Sequence, residues 1–179
     1  MKALKEIKKL TIATIMSCSL LFAVSCSDSK EDMPTPDDIM GVWSPSGDNY
    51  LEFATNNEVH NLVITTQDGE TIGEWREDVF FYEPGYQIVI YINHQQQASV
   101  YKIIKITESE LVWCWVKDIR ESLESGESIG QVIGEIIKEA QEGFDLDPAK
   151  YESMRRVSED QFFKILESLD IMYPWGEDF

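Results

Sequence analysis

The chain has 179 residues, 43% hydrophobic and 27% charged, enough for one ordinary domain with a buried core and a small appended part. Its 15 Lys and Arg face 33 Asp and Glu, a formal net charge of −18 at pH 7. A surface this negative excludes nucleic acid as a partner, since that affinity comes from neutralising phosphates, and it disfavours adsorption to anionic lipid head groups.

The first element is an address. Lys2, Lys5, Lys8 and Lys9 precede an uncharged apolar stretch over 10–24, too short to span a bilayer and followed at once by polar chain. Residues 1–25 therefore read as a secretory signal. At its end, Ala23-Val24-Ser25-Cys26 resembles the bacterial lipobox. The resemblance implies cleavage before Cys26 and acylation of its sulfur, which would anchor the chain to a membrane through palmitate-type chains. Cys18, after Ile15-Met16-Ser17, is the competing site, but its use would strand the apolar run 20–24 in the mature chain. Ser27-Asp28-Ser29-Lys30-Glu31-Asp32 follows and resembles the export signal of Bacteroidetes surface lipoproteins, implying the outer face of the outer membrane; the alternative is a plain acidic tether. Residues 26–40 complete a charged, Pro-containing tether that stays extended. Of the three cysteines only Cys114 remains in the folded part, so no internal disulfide is available, and its apolar run predicts a buried, inert thiol.

From residue 41 to 117 short apolar runs alternate with turn signals. Strands are predicted at 42–44, 50–54, 58–66, 71–82, 87–93, 99–107 and 111–117. The breaks between them are too short for crossovers, so the strands must pair as antiparallel hairpins in a sandwich or barrel. Ile88, Ile90 and Ile92 share one face of their strand, and Leu111, Trp113 and Trp115 share one face of the last. That last strand is apolar on both faces and has to be covered twice.

Three helices are predicted after the sheet. Ile129, Val132, Ile133, Ile136, Ile137 and Ala140 form an amphipathic stripe, started by a Ser128/Gln131 capping box and stopped at Gly143. Asp147-Pro148 predicts a second helix reaching about Arg156. Ser158 and Gln161 start a third, with Phe162, Leu166 and Leu169 on one stripe. Residues 118–179 thus read as a helical tail packed on the last strand or over one end of the sheet.

Gly41-Val42-Trp43 at the head of an antiparallel meander resembles the start of lipocalin-like families, and 105–116 resembles the closing hairpin of lipocalin-like domains in Bacteroidetes lipoproteins. The resemblance covers 41–117 and implies an up-and-down barrel, with Trp43 closing one end and a basic residue after the last strand packing across it. Arg120 is the nearest match for that residue, with Lys117 second. The expected fold is therefore mainly β, a lipocalin-like meander of seven strands whose closure stays open, covered by about three helices.

Catalytic and metal motifs are absent. His60 and His94 fall in different hairpins with no Cys or carboxylate at ligand spacing, so they read as surface or strand histidines. No nucleophile elbow or P-loop occurs, and Asp145-Leu146-Asp147 runs into Pro148 rather than a calcium loop. The expectation is no enzyme, no metal and no cofactor. The remaining constellation is aromatic: Trp75, Tyr82, Tyr86, Tyr91, Tyr101, Trp113 and Trp115. They either fill the barrel or line a cavity for a small, partly apolar ligand, with Ile88, Ile90, Leu111, Trp113 and Trp115 as its candidate wall. The rival expectation is an interaction module whose helical tail docks on other envelope proteins.

Overall fold

The computed structural model describes residues 35–175. The expected signal peptide over 1–25, Cys26 and the acidic tract lie outside the described residues. The chain divides into two units, one holding 34–120 and 145–179, the other including 121–144, and each is described by itself.

The first unit is a closed, eight-stranded, antiparallel up-and-down barrel in the order β1 to β8. Its strands are β1 (Gly41–Ser46), β2 (Asn49–Phe53), β3 (Glu58–Gln67), β4 (Glu70–Glu83), β5 (Ile88–Ile92), β6 (Ala98–Ile106), β7 (Glu110–Asp118) and β8 (Tyr151–Val157). All seven strands expected between 41 and 117 form, and every connection among them is short. A four-residue helix, α1 (Pro36–Ile39), precedes β1, and α4 (Glu159–Ser168) follows β8.

The eighth strand corrects the expected helix over 148–156. Asp147 does cap a helical start, accepting from the Ala149 amide at 3.0 Å, but only the 3₁₀ turn Pro148–Lys150 results. The chain then extends, because β1 and β7 each present an unpaired edge whose amides and carbonyls must be satisfied. β8 satisfies both: Val42 to Ser44 pair with Val157 to Arg155, and Leu111 to Cys114 pair with Met154 to Tyr151. Closure removes the sheet edges, so the seven-stranded count and the barrel boundary at 117 are both superseded.

The interior is apolar at the end where the chain enters. Trp43, Phe53, Phe80, Leu111 and Met154 are nearly inaccessible and belong to one cluster. Phe53 meets Phe80 edge to face at 5.0 Å, a favoured aromatic geometry. The Trp43 indole donates to the Ile39 carbonyl at 2.7 Å, tying α1 across that end. The basic residue over Trp43 is Arg156, its guanidinium carbon 5.0 Å from the ring, so the place expected for Arg120 belongs to a residue of β8. Arg156 also donates to the Met40 carbonyl. Gly41 has φ +104°, and a Cβ there would lie 3.1 Å from the Arg156 Nη2, so a glycine suits both the turn into β1 and the close guanidinium.

Outside the barrel, α4 starts at a Ser158/Gln161 capping box, as expected. It buries Phe162 and Leu166 against Val42, Tyr50, Leu62 and Val157, which puts it over the β8–β1–β2–β3 side rather than over 111–117. The segment after α4 crosses the same face. Ile171 fits against Gly73, where a Cβ would come within 2.3 Å of its Cδ1. Trp75 donates to the Met172 carbonyl at 3.0 Å, and Trp175 stacks on His60 at 3.7 Å. Tyr173 donates to Glu52, whose carboxylate also meets His60 Nδ1 at 2.8 Å; both Glu52 and His60 are buried. His60 therefore does have a carboxylate partner, eight residues away in sequence but directly opposite in the β2–β3 register.

The second unit contains most of α2 (Arg120–Glu124) and all of α3 (Ile129–Glu142). The Ser128/Gln131 capping box forms, the chain turns at Gly143 with φ +93°, and Val132 and Ile136 are the buried positions of the expected stripe.

Tyr173→Phe removes a hydroxyl donor from the buried Glu52 and is expected to cost about 1–3 kcal/mol. Urea unfolding of the two proteins checks this, and an unchanged midpoint would show that the tail contact contributes nothing.

Candidate functional site

The turns joining β1–β2, β3–β4 and β5–β6 lie at the far end of the barrel from Trp43, and here the inward positions change character. Antiparallel register with a two-residue side-chain period puts Asn61, Asp78, Tyr91, Tyr101, Trp113 and Glu152 on the inner face, one from each strand β3 to β8. Successive contacts join them. Asp78 accepts from Asn61 Nδ2 at 3.2 Å, from the Tyr91 hydroxyl and from the His94 amide at 2.6 Å. Tyr91 lies edge-on to Trp113 at 6.5 Å, Tyr101 stacks on Trp113 at 4.3 Å, and the Trp113 indole donates to Glu152 at 2.9 Å.

Asp78 is wholly buried at its side chain, a position tolerable for a carboxylate only with several donors. Three supply that need, and His94 Nδ1 adds a fourth approach at 3.4 Å, so the second histidine also meets a carboxylate that sequence spacing hid. Glu152 is exposed, while Asn61, Arg76, Tyr91, Tyr101 and Trp115 are half-buried, so the ring reaches solvent. Arg76, inward on β4, is paired with Glu74 at 3.0 Å. Trp115, the next inward position after Trp113, carries the Lys150 ammonium 4.1 Å from its ring centre.

Burial raises the tyrosine pKa values in this interior. Tyr101 is pushed up to about 12 by desolvation and by the Glu152 charge. Tyr82, near the Trp43 end, is pushed up to about 12 by desolvation and by the charges of Asp38 and Glu83. Tyr91 is raised further, by desolvation first and then by the charge and hydrogen bond of Asp78. These phenols stay neutral over the physiological range and act there as hydrogen-bonding groups.

Of the residues expected to line a pocket, Leu111 and Trp113 face the interior together, and Trp115 shares their face. Ile88 and Ile90 do not. β5 turns Val89 and Tyr91 inward, so Ile88, Ile90 and Ile92 sit on the barrel's outer face. Both faces of this strand are apolar, and composition could not say which one the barrel would enclose. Of the aromatic set, Tyr82, Tyr91, Tyr101 and Trp113 are internal, Trp75 belongs to the outer cluster under the C-terminal segment, and Tyr86 ends the 3₁₀ turn Pro84–Tyr86. Asn61, Asp78 and Glu152 went unseen in the sequence, and so did Arg156 at the closed end. Cys114 is buried with its sulfur 3.7 Å from the Asp147 carbonyl, and burial pushes its thiol pKa up, away from nucleophilic use. Among the described residues no group of three His, Cys, Asp or Glu side chains is arranged to hold a metal ion. The fold and the ring together define a closed β-barrel with one apolar, plugged end and one polar, aromatic end. The chain matches no family model, no curated protein and no solved structure.

A raised phenol pKa stabilises the folded state fully below the ordinary tyrosine value near 10, and that contribution is lost as pH rises through the raised value. Stability is therefore expected to fall between about pH 10 and pH 12, the window set by Tyr82 and Tyr101. Tyr101→Phe should flatten that decline. Urea midpoints and phenolate absorbance against pH provide the check, and a flat profile for the unmodified chain would contradict the buried placement.

Proposed function

We propose that this protein is a lipid-anchored lipoprotein of the cell envelope whose lipocalin-like barrel binds a small, partly apolar ligand at the polar end of its interior. The observation that carries the reading is the unbroken inward ring from Asn61 to Glu152, opposite an end plugged by Trp43 and Arg156. A barrel that only had to fill itself would gain nothing from polar side chains on inner positions of β3, β4 and β8, since each needs compensating hydrogen bonds. A ligand needs the reverse, apolar surface with a few placed polar groups. The ring is read as a binding surface and not as catalytic machinery. The lipobox at Cys26 supports attachment to the outer membrane, and the acidic tract that follows supports display at the cell surface.

A neutral naphthyl dye should bind the protein saturably, one per chain, and alter its tryptophan emission. Trp113→Ala should cost about 3–5 kcal/mol of stability yet leave that binding intact or tighter, because it enlarges the interior. Failure of the unmodified chain to bind any dye would mean a filled barrel. Separately, Cys26→Ala should abolish incorporation of labelled palmitate in cells, and label persisting in that variant would count against Cys26 as the anchor.

A further inference from the structure

Hydrogen-bond bookkeeping at the polar end of the barrel restricts the ligand class. The amide oxygens of Asn49 and Asn61 are buried and have no hydrogen-bond partner. Both residues point inward, since Asn49 alternates with the interior Leu51 and Phe53, and Asn61 with the interior Val59. The orientation of Asn61 is fixed, because its Nδ2 is committed to Asp78. Native proteins leave few buried acceptors unpaired, so two of them on neighbouring strands mark a place where something else donates.

Four of the donors at this end are already engaged. Asn61 Nδ2 and the Tyr91 hydroxyl go to Asp78, the Trp113 indole goes to Glu152, and Arg76 goes to Glu74. Lys150 lies over Trp115. Among the described residues, no lysine or arginine nitrogen comes within 4.0 Å of Asp78 or Glu152. What the ring offers an incoming molecule is therefore the exposed Glu152 carboxylate, two unpaired amide oxygens and the half-buried faces of Tyr91 and Tyr101, with the buried charge of Asp78 behind them.

We infer that the ligand of this barrel is a small organic cation, a protonated amine carried on an aromatic or apolar body. The inference rests on the ligand-binding reading above. An ammonium group brings three donors and a positive charge to a site that holds acceptors and negative charge. Its apolar body meets aromatic faces that also attract cations. A carboxylate or phosphate would add acceptors where donors are lacking and would face Asp78 and Glu152 as like charges. The formal net charge of −18 favours the same sign of ligand by drawing cations toward the surface.

Calorimetric titration of the full chain in detergent with phenethylamine, phenethyl alcohol and hydrocinnamate tests this, because the three share one body and differ in charge. The amine should bind one per chain, roughly ten- to hundredfold tighter than the alcohol, with the acid weakest. Glu152→Gln, at an exposed position, should remove most of the amine's advantage over the alcohol. Asn49→Ala should weaken the amine while the naphthyl dye still binds. Dye binding without any preference for the amine overturns the cation assignment alone, and a preference that survives both variants overturns its placement at Glu152 and Asn49. If neither the dye nor any of the three binds, the ligand-binding reading falls with it.

Discussion

The structure depends on β8. Tyr151–Val157 is hydrogen-bonded to β7 along one side and to β1 along the other, and this double pairing turns a seven-stranded meander into a closed cylinder. It also delivers three side chains to the interior. Arg156 covers Trp43 at the entrance end, Met154 joins the apolar core, and Glu152 completes the polar ring. Closure, plug and site therefore share one strand, and a chain ending before Tyr151 would lack all three.

The two ends differ by simple physical rules. Near Trp43 the inward side chains are aromatic and aliphatic, packed edge to face, with the indole N–H and the guanidinium both given carbonyl partners. At the other end the inward positions hold a buried carboxylate, amides, phenols and an indole, joined from strand to strand by hydrogen bonds and ring contacts. Polar groups inside a barrel stiffen it when satisfied and cost stability when not. Asp78 has its donors, whereas Asn49 and Asn61 each keep an unpaired oxygen.

Much of this was legible in the sequence. Turn residues such as Asp68-Gly69 and Pro84-Gly85 punctuate the seven strands clearly, and both Ser/Gln capping boxes start the helices they predict. β8 was hidden because Tyr151-Glu152-Ser153-Met154-Arg155-Arg156 follows Asp-Pro and contains good helix formers; only two waiting sheet edges make it a strand. The aromatic part of the ring could be read from Tyr91, Tyr101 and Trp113. Its polar part could not, because the role of Asn61, Asp78 and Glu152 depends on which face the barrel encloses, and that is decided by register across strands up to 91 residues apart in the chain. The same limit misassigned Ile88 and Ile90 to the interior and hid the carboxylate partners of both histidines.

The central claim is that a small molecule docks at the polar end of the barrel, and the side-chain N–H signals of Trp113 and Asn61 lie in the ring itself. Following them by nuclear magnetic resonance while the neutral naphthyl dye is added tests the claim directly. The account predicts saturable shifts of both signals at one dye per chain, with the indole of Trp75, under the C-terminal segment, unmoved. Shifts at Trp75 with Trp113 and Asn61 unchanged would place binding on the outer face and contradict it.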